Sequence, residues 1–278
     1  MKKQFKLILL VVLAVVMMLT FAACSSTEPA AEAEPLLVGM ECGYPPFNWT
    51  QNDDSNGAVA IQGGGFAGGY DVEIAKHIAE SMGRELVIVK TIWDGLVPAV
   101  QSDTIDLIIA GMSPTEKRKV SIDFSDNYYK SDLVIVVRAD SPFAAATTLG
   151  DMAGAKITAQ LNTFHYTVIP QIEGVDQQIA MDDFPAMRVA LESGVIDGYV
   201  SERPEAVSAT AANSAFAFVS FEEGQGFATS DDDTAIAVGL KKGNTELMEA
   251  VNAALATISE EDRSTIMDQA IANQPAEQ

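Results

Sequence analysis

The residues best placed to do chemistry are Ala110-Gly111-Met112-Ser113-Pro114-Thr115-Glu116-Lys117-Arg118. Ser113 has the chemistry of an N-cap. Pro114 suits a first helical position, and Glu116 falls where it closes a capping box, so a helix is predicted to begin at Pro114. Its free N–H groups and positive dipole end, with the planar fork of Arg118 beside them, would hold a carboxylate. The competing reading is an ordinary helix start with Arg118 paired to a nearby acid. The element that must position this loop is the apolar run Ile105 to Ile109, interrupted only by Asp106 and typical of a buried parallel strand.

Other chemistries find little support. The chain has two histidines, His77 and His165, so no H-E-x-x-H zinc site is possible, and no G-x-S-x-G elbow occurs. His77 falls on the polar side of its predicted helix and is expected to be exposed. Gly63-Gly64-Gly65-Phe66-Ala67-Gly68 fits G-x-G-x-x-G, but the strand before it is very short and the next strand ends in Lys90 rather than an acid; a flexible hairpin tip is expected instead. Asp231-Asp232-Asp233 lacks EF-hand spacing and reads as a solvated loop. No catalytic residue, metal or cofactor is expected.

Lys2, Lys3 and Lys6 precede an apolar stretch from Leu7 to Ala23, the pattern of an export signal over 1–23. Leu19-Thr20-Phe21-Ala22-Ala23-Cys24 resembles a bacterial lipobox, which implies lipidation of Cys24. Residues 24–35, rich in Ala, Glu and Pro, read as a tether. Beyond Cys24 only Cys42 remains, which excludes an internal disulfide and a cysteine-based zinc framework. The formal charge is −22, and removal of the signal lysines makes the remainder more acidic. Nucleic acid is therefore a poor partner.

From Leu36 on, predicted strands and helices alternate: strands at Leu36 to Met40, Ala58 to Ile61, Leu86 to Val89 and Ile105 to Ile109, helices at Asp71 to Met82 and Trp93 to Gln101. The pattern restarts at the strand Leu133 to Val137. It continues with strands at Ile157 to Gln160, Gln178 to Met181, Val195 to Val200 and Phe216 to Phe221, and with helices at Phe164 to Ile172, Phe184 to Ser193 (capped by Asp183) and Pro204 to Ala212. Two such series predict two α/β lobes with mainly parallel sheets flanked by helices. The second lobe already has enough strands, so the strand Ala235 to Leu240 and helices Thr245 to Ile258 and Glu260 to Ile271 are expected to return to the first.

Gly43-Tyr44-Pro45-Pro46-Phe47, Gly69-Tyr70-Asp71-Val72, Trp93-Asp94-Gly95-Leu96-Val97-Pro98, Ser113 to Arg118, Asp123-Phe124-Ser125 and Ile196-Asp197-Gly198 occur in that order. Together they resemble the extracytoplasmic solute-binding proteins of polar amino-acid ABC transporters, the family of the histidine, glutamine and lysine-arginine-ornithine binding proteins. The resemblance implies a type II periplasmic-binding-protein-like fold with lobe 1 at 36–130 and 224–278, lobe 2 at 131–223, and hinges near Lys130 to Leu133 and Phe221 to Gly224. It implies that Arg118 clamps a ligand α-carboxylate, that Gly111, Met112 and Ser113 line the same site, and that Tyr44 and Trp93 enclose the ligand. In lobe 2, Gln160, Asn162 and Thr163 would form a carboxylate-binding turn and Glu202 would meet the α-ammonium. Glu202 could instead be a surface acid paired with Arg203, and Tyr44 and Trp93 could be ordinary core aromatics.

Glu41 stands where some relatives that take basic amino acids carry an acid, so a basic side chain is one option for the ligand; Glu41 pointing to solvent is the other. The implied partners are a free amino acid, an ABC permease with its ATPase, and the outer face of the cell membrane through Cys24, with the protein a monomer and not an enzyme. A different class on the same fold is an extracytoplasmic prephenate or arogenate dehydratase. Prephenate lacks the α-ammonium that Glu202 would meet, which favours transport.

Overall fold

The computed structural model describes residues 33–275. The export signal, Cys24 and the tether up to residue 32 lie outside the described residues.

The chain opens with β1 (Leu36–Met40) and a small antiparallel sheet of β2 (Gly43–Tyr44), β3 (Asn48–Gln51), β4 (Val59–Ala60) and β5 (Phe66–Gly68). The Gly63-Gly64-Gly65 run joins β4 to β5 with all three glycines at positive φ, so it is a hairpin tip. Then follow α1 (Tyr70–Ser81), β6 (Leu86–Lys90), α2 (Trp93–Gln101), β7 (Leu107–Ile108), α3 (Glu116–Lys119) and β8 (Ile122–Lys130). The second series is β9 (Leu133–Arg138), β10 (Lys156–Thr158), α4 (Phe164–Val168), β11 (Asp176–Gln177), α5 (Phe184–Glu192), β12 (Gly198–Glu202), α6 (Arg203–Ala212) and β13 (Phe216–Val219). The chain ends with α7 (Asp231–Thr234), β14 (Ala235–Lys241), α8 (Thr245–Leu255) and α9 (Glu260–Asn273).

Two five-stranded sheets make two lobes, ordered β6-β1-β7-β14-β8 and β11-β10-β12-β9-β13. In each, four strands run one way and one is reversed: β14 is antiparallel to β7 and β8, and β9 to β12 and β13. The reversed strand is in both cases the one that follows a passage from the other sheet, so the two lobes exchange their odd strand. Each sheet is therefore mixed, with two parallel and two antiparallel pairings, and the prediction of two α/β lobes holds.

The apolar strand faces build a core that runs through both lobes, because Tyr44 of the first stacks on Phe184 of the second at 4.2 Å and 19°. A smaller core around Ile135, Val137, Ile157 and Val200 fills the other side of the second sheet. Burial on this scale, at roughly 25 cal/mol per Å² of apolar surface, is the main favourable term.

The sheets are joined by Ser131-Asp132 and by the long stretch from β13 to β14. The latter is hydrogen-bonded to the second lobe through Gln225 and Ala228, which contact Leu149 and Gln171. Hydrogen bonding to the second lobe thus continues past Gly224, and the chain re-enters the first sheet at Ala235. There Ser131 N–H donates to Thr234 O at 2.9 Å.

Three other expectations change. Asp231-Asp232-Asp233 is a helical turn capped by Ser230, with Asp231 on Lys130 at 2.6 Å and Asp232 on Lys119 at 2.5 Å, rather than a solvated loop. His77 is half-buried and bonded to Thr257 Oγ1 at 2.7 Å. The nine-residue β8, which the sequence reading passed over, is the longest strand of the first sheet.

Candidate functional site

The predicted residues converge where the carboxyl ends of both sheets face each other, the general position of ligand sites in open α/β sheets. Glu41 follows β1, Trp93 opens α2, Gly111 to Ser113 follow β7, Gln160 to Thr163 follow β10, and Glu202 ends β12.

The helix expected at Pro114 is absent. Thr115 is the N-cap of a four-residue turn beginning at Glu116, with no side-chain cap bond. Ser113 instead donates its hydroxyl to Asp233 O at 3.0 Å. So short a turn carries little dipole, and the positive charge of this loop is that of Arg118 itself. The guanidinium lies 4.9 Å from the Trp93 ring centroid and donates to Ser113 O at 2.9 Å and to Asn162 O of the second lobe at 3.2 Å. No carboxylate pairs with it among the described residues, so the reading of Arg118 as a structural ion-pair partner fails. Burial pushes its pKa down to about 10, with Glu202 working in the opposite direction, and it stays charged at neutral pH.

Beneath the loop, Gly111 at φ +61° donates its N–H to the Tyr128 hydroxyl at 3.3 Å, and that hydroxyl donates to Asp71 at 2.7 Å. Asn48 donates to the other Asp71 oxygen at 2.8 Å. An ideal Cβ on Gly111 would stand 2.7 Å from Tyr44 Cε1, so only glycine lets the Tyr44 ring lie here. Met112 is buried; its carbonyl accepts from Ala237 N–H in β14, and it does not line the narrow cavity at the centre of the cleft.

Glu202 is 3% exposed, and its predicted alternative partner, Arg203, pairs with Asp132 instead. One Glu202 oxygen accepts from the Tyr44 hydroxyl and the other lies 2.9 Å from His165 Nε2. Burial would raise its pKa, but the charge of His165 and the bonds from His165 and Tyr44 outweigh burial and hold it below the usual carboxylate range. Tyr44 is sandwiched between Phe47 and Phe184.

Glu41 does not point freely to solvent. Both of its oxygens accept from Gln160 Nε2 of the second lobe, at 3.0 and 3.1 Å. Burial raises its pKa to about 7; Gln160 works against this, and the negative Asp183 and Asp94 add to it. Asn162, at φ +56°, reaches across to Asp94 at 2.9 Å, and Thr163 closes the turn onto Gln160 O at 2.6 Å.

Between these groups remains about 10 Å³, room for roughly one water. It is lined by Tyr44, Gly111, Ser113, Arg118, His165 and Glu202 among others. A larger space of about 710 Å³ opens beside Glu41, bordered by Trp93, Asp182, Asp183 and Arg188. The arrangement offers one fixed cation and one fixed anion from opposite lobes, flanked by aromatic rings; the charges suit a small zwitterion, and the lobes must part from this closed arrangement to admit one. Among the described residues no group of three or more metal-binding side chains occurs.

His165 and Phe184 escaped the sequence reading as site residues. Phe184 follows an N-cap and has a core pattern, and a lone histidine in a short helix gives no spacing that points to an acid in a distant strand.

The sequence profile of the bacterial extracellular solute-binding proteins, family 3, matches residues 36–271. The L-cystine-binding protein TcyJ of Escherichia coli is 30% identical over 243 residues, 87% of this chain and 84% of that protein. A probable histidine-binding protein of Campylobacter jejuni is 30% identical over 207 residues, 68% of this chain and 75% of its own length. Among solved structures, an amino acid ABC transporter substrate-binding protein from Streptococcus pneumoniae bound to L-arginine matches with TM-score 0.74 at 26% identity, covering 86% of this chain and 94% of that one.

Proposed function

The chain belongs to the bacterial extracellular solute-binding proteins, family 3, and from that premise we propose that it binds a free amino acid between its lobes and delivers it to the permease of an ABC transporter. The observation that carries this reading is that Arg118 from lobe 1 and Glu202 from lobe 2 line one narrow cavity. A zwitterion leaving water needs both charges answered, since an unpaired buried ion costs several kcal/mol. Arg118 takes the carboxylate, with the Asn162 and Thr163 turn beside it, and Glu202 takes the ammonium. Tyr44 and Trp93 enclose the ligand, and Gly111 and Ser113 form the floor. Because the two charges come from different lobes, the ligand favours the closed state.

Lobe 1 is 36–130 with the C-terminal part, and lobe 2 runs from 131 to about the return at residues 230–234. These two passages are the hinges. Cys24 anchors the chain by lipid to the outer face of the cell membrane, and the protein works as a monomer. The relatives named above are an L-cystine-binding protein, a probable histidine-binding protein and a protein bound to L-arginine, so the side-chain preference must come from this chain's own cleft. Glu41, Asp182, Asp183 and Glu192 outnumber Lys90 and Arg188 around the larger space, which favours a basic side chain. The dehydratase alternative gains nothing from the relatives, whose names are those of binding proteins.

The test is calorimetric titration of the soluble domain, unfolded and refolded to strip carried-over ligand, with each common amino acid. Micromolar or tighter binding, about 8 kcal/mol or more, to arginine or lysine is expected. No heat with any of them would reject the reading, and tight binding to an uncharged amino acid would reject the role of Glu41 alone.

A further inference from the structure

The clamp leaves one buried group without a task. His165, on α4, is 5% exposed and has Nε2 2.9 Å from Glu202 Oε1, close enough for an ion pair though not aligned as a hydrogen bond, and its Nδ1 has no hydrogen-bond partner either. Its ring lies against Phe164 at 4.4 Å. Histidine and acid both belong to the second lobe, so their pairing does not depend on closure. The charged and titratable groups that share the cavity are Glu202 at the end of β12, the Tyr44 hydroxyl from β2, and Arg118 from α3; Glu41 stands beyond Gln160.

A ligand ammonium arriving at Glu202 meets this arrangement. With His165 charged, two cations would share one carboxylate in a space that also holds Arg118, and like charges at such separations in a buried site repel strongly. We propose that His165 is the resident counter-cation of Glu202 and that amino-acid binding expels its proton. The Nε2–H bond breaks, its electron pair stays on the ring nitrogen, and the proton leaves to bulk water. The ammonium then takes over the carboxylate, and a neutral imidazole remains as its neighbour. This rests on the amino-acid reading of the cleft. The consequence is proton-linked affinity: over the range in which binding expels the proton, affinity falls up to tenfold for each unit of falling pH, and where the imidazole is already neutral it is flat. Cargo is released more readily in mild acid.

Glu41 titrates in the same range, so the experiment is done in a Glu41→Gln background. The soluble domain is titrated by calorimetry with L-arginine, L-histidine and L-cystine from about pH 5.5 to 7.5 in buffers of different ionisation heat. For whichever probe binds, net proton release approaching one and a matching pH slope are expected, and both should vanish on adding His165→Gln. Release and slope unchanged by that substitution would overturn the proposal. If none of the three binds Glu41→Gln, the same titrations are run on the wild type, where binding assigns the loss to Glu41 and no binding rejects the amino-acid reading; in either case the pairing is read separately by NMR of the two imidazoles in empty protein. A His165 titration that Glu202→Gln shifts to lower pH supports the counter-cation, and a His165 neutral from about pH 5 upward overturns it.

Discussion

Replacing Arg118 by alanine separates what this side chain does for the cargo from what it does for the protein. Its guanidinium makes two hydrogen bonds, both to carbonyl oxygens, and stacks on Trp93. Truncating one partner of a buried charge pair costs about 2–5 kcal/mol, so binding should weaken roughly 30-fold to several thousand-fold. Stability should respond differently. Burial that pushes the pKa to about 10 corresponds to roughly 3–4 kcal/mol of unfavourable desolvation at neutral pH. Against this stand two charge-assisted bonds, worth about 1.5 kcal/mol or more each. These nearly cancel, so the empty variant should unfold within a few degrees of the wild type. Arg118→Lys keeps the charge and loses the fork, and should fall between, at roughly tenfold weaker binding. The assay is calorimetric titration with the preferred amino acid, paired with thermal unfolding of empty protein. Binding by Arg118→Ala within threefold of wild type would refute the clamp, and a collapse of stability would refute the separation.

Gly111→Ala puts a methyl 2.7 Å from the Tyr44 ring at a backbone φ of +61°; affinity should drop at least tenfold with about 1 kcal/mol or more of lost stability, and unchanged titration would reject the close-approach argument. Glu41, with its pKa raised to about 7 from 4.5, keeps a proton in the folded state that the unfolded chain has released between those values, so stability falls as pH rises through 7, by up to about 3 kcal/mol. Urea unfolding at mildly acid and mildly alkaline pH should show this slope reduced in Glu41→Gln, the remainder including Asp71, whose carboxyl burial pushes up to about 6; equal slopes in both proteins would contradict it. Asp71→Asn turns an amide N–H₂ toward Asn48 or Tyr128 and should cost about 1–3 kcal/mol in denaturant unfolding, and a loss below half of that lower bound would mean the pair tolerates the swap.

Much of the fold was legible because its signals are local. Asp183 before Phe184-Pro185 announced α5, and its carboxylate does accept from Ala186 N–H at 2.8 Å. The run Ala235 to Leu240 read as a buried strand, and its antiparallel pairing to β7 and β8 puts it in the first sheet. By contrast β8 hid behind Asp123, Ser125, Asp126 and Asn127, since register shifts against β14 break the alternation a strand normally shows. Ser113 misled for a related reason. Its hydroxyl has the chemistry of a cap, but the carbonyl of Asp233, from a segment far along the chain, competes for it, and no local pattern records that. Arg118 and Glu202 were visible through the motifs around them. The histidine facing Glu202 was not, because its meaning exists only once two elements meet.

The hydrogen bond from Ser131 to Thr234 ties the two passages between the lobes together, side by side. Two parallel straps fastened to each other bend easily about the line that crosses both and resist shearing and twisting. The lobes therefore have one soft mechanical coordinate, and each cargo can be described by a single angle at which the jaws stop. A bulkier amino acid is then expected to halt them slightly wider without reshaping either jaw. What a transporter touches on the outside is then a gauge of what is held inside.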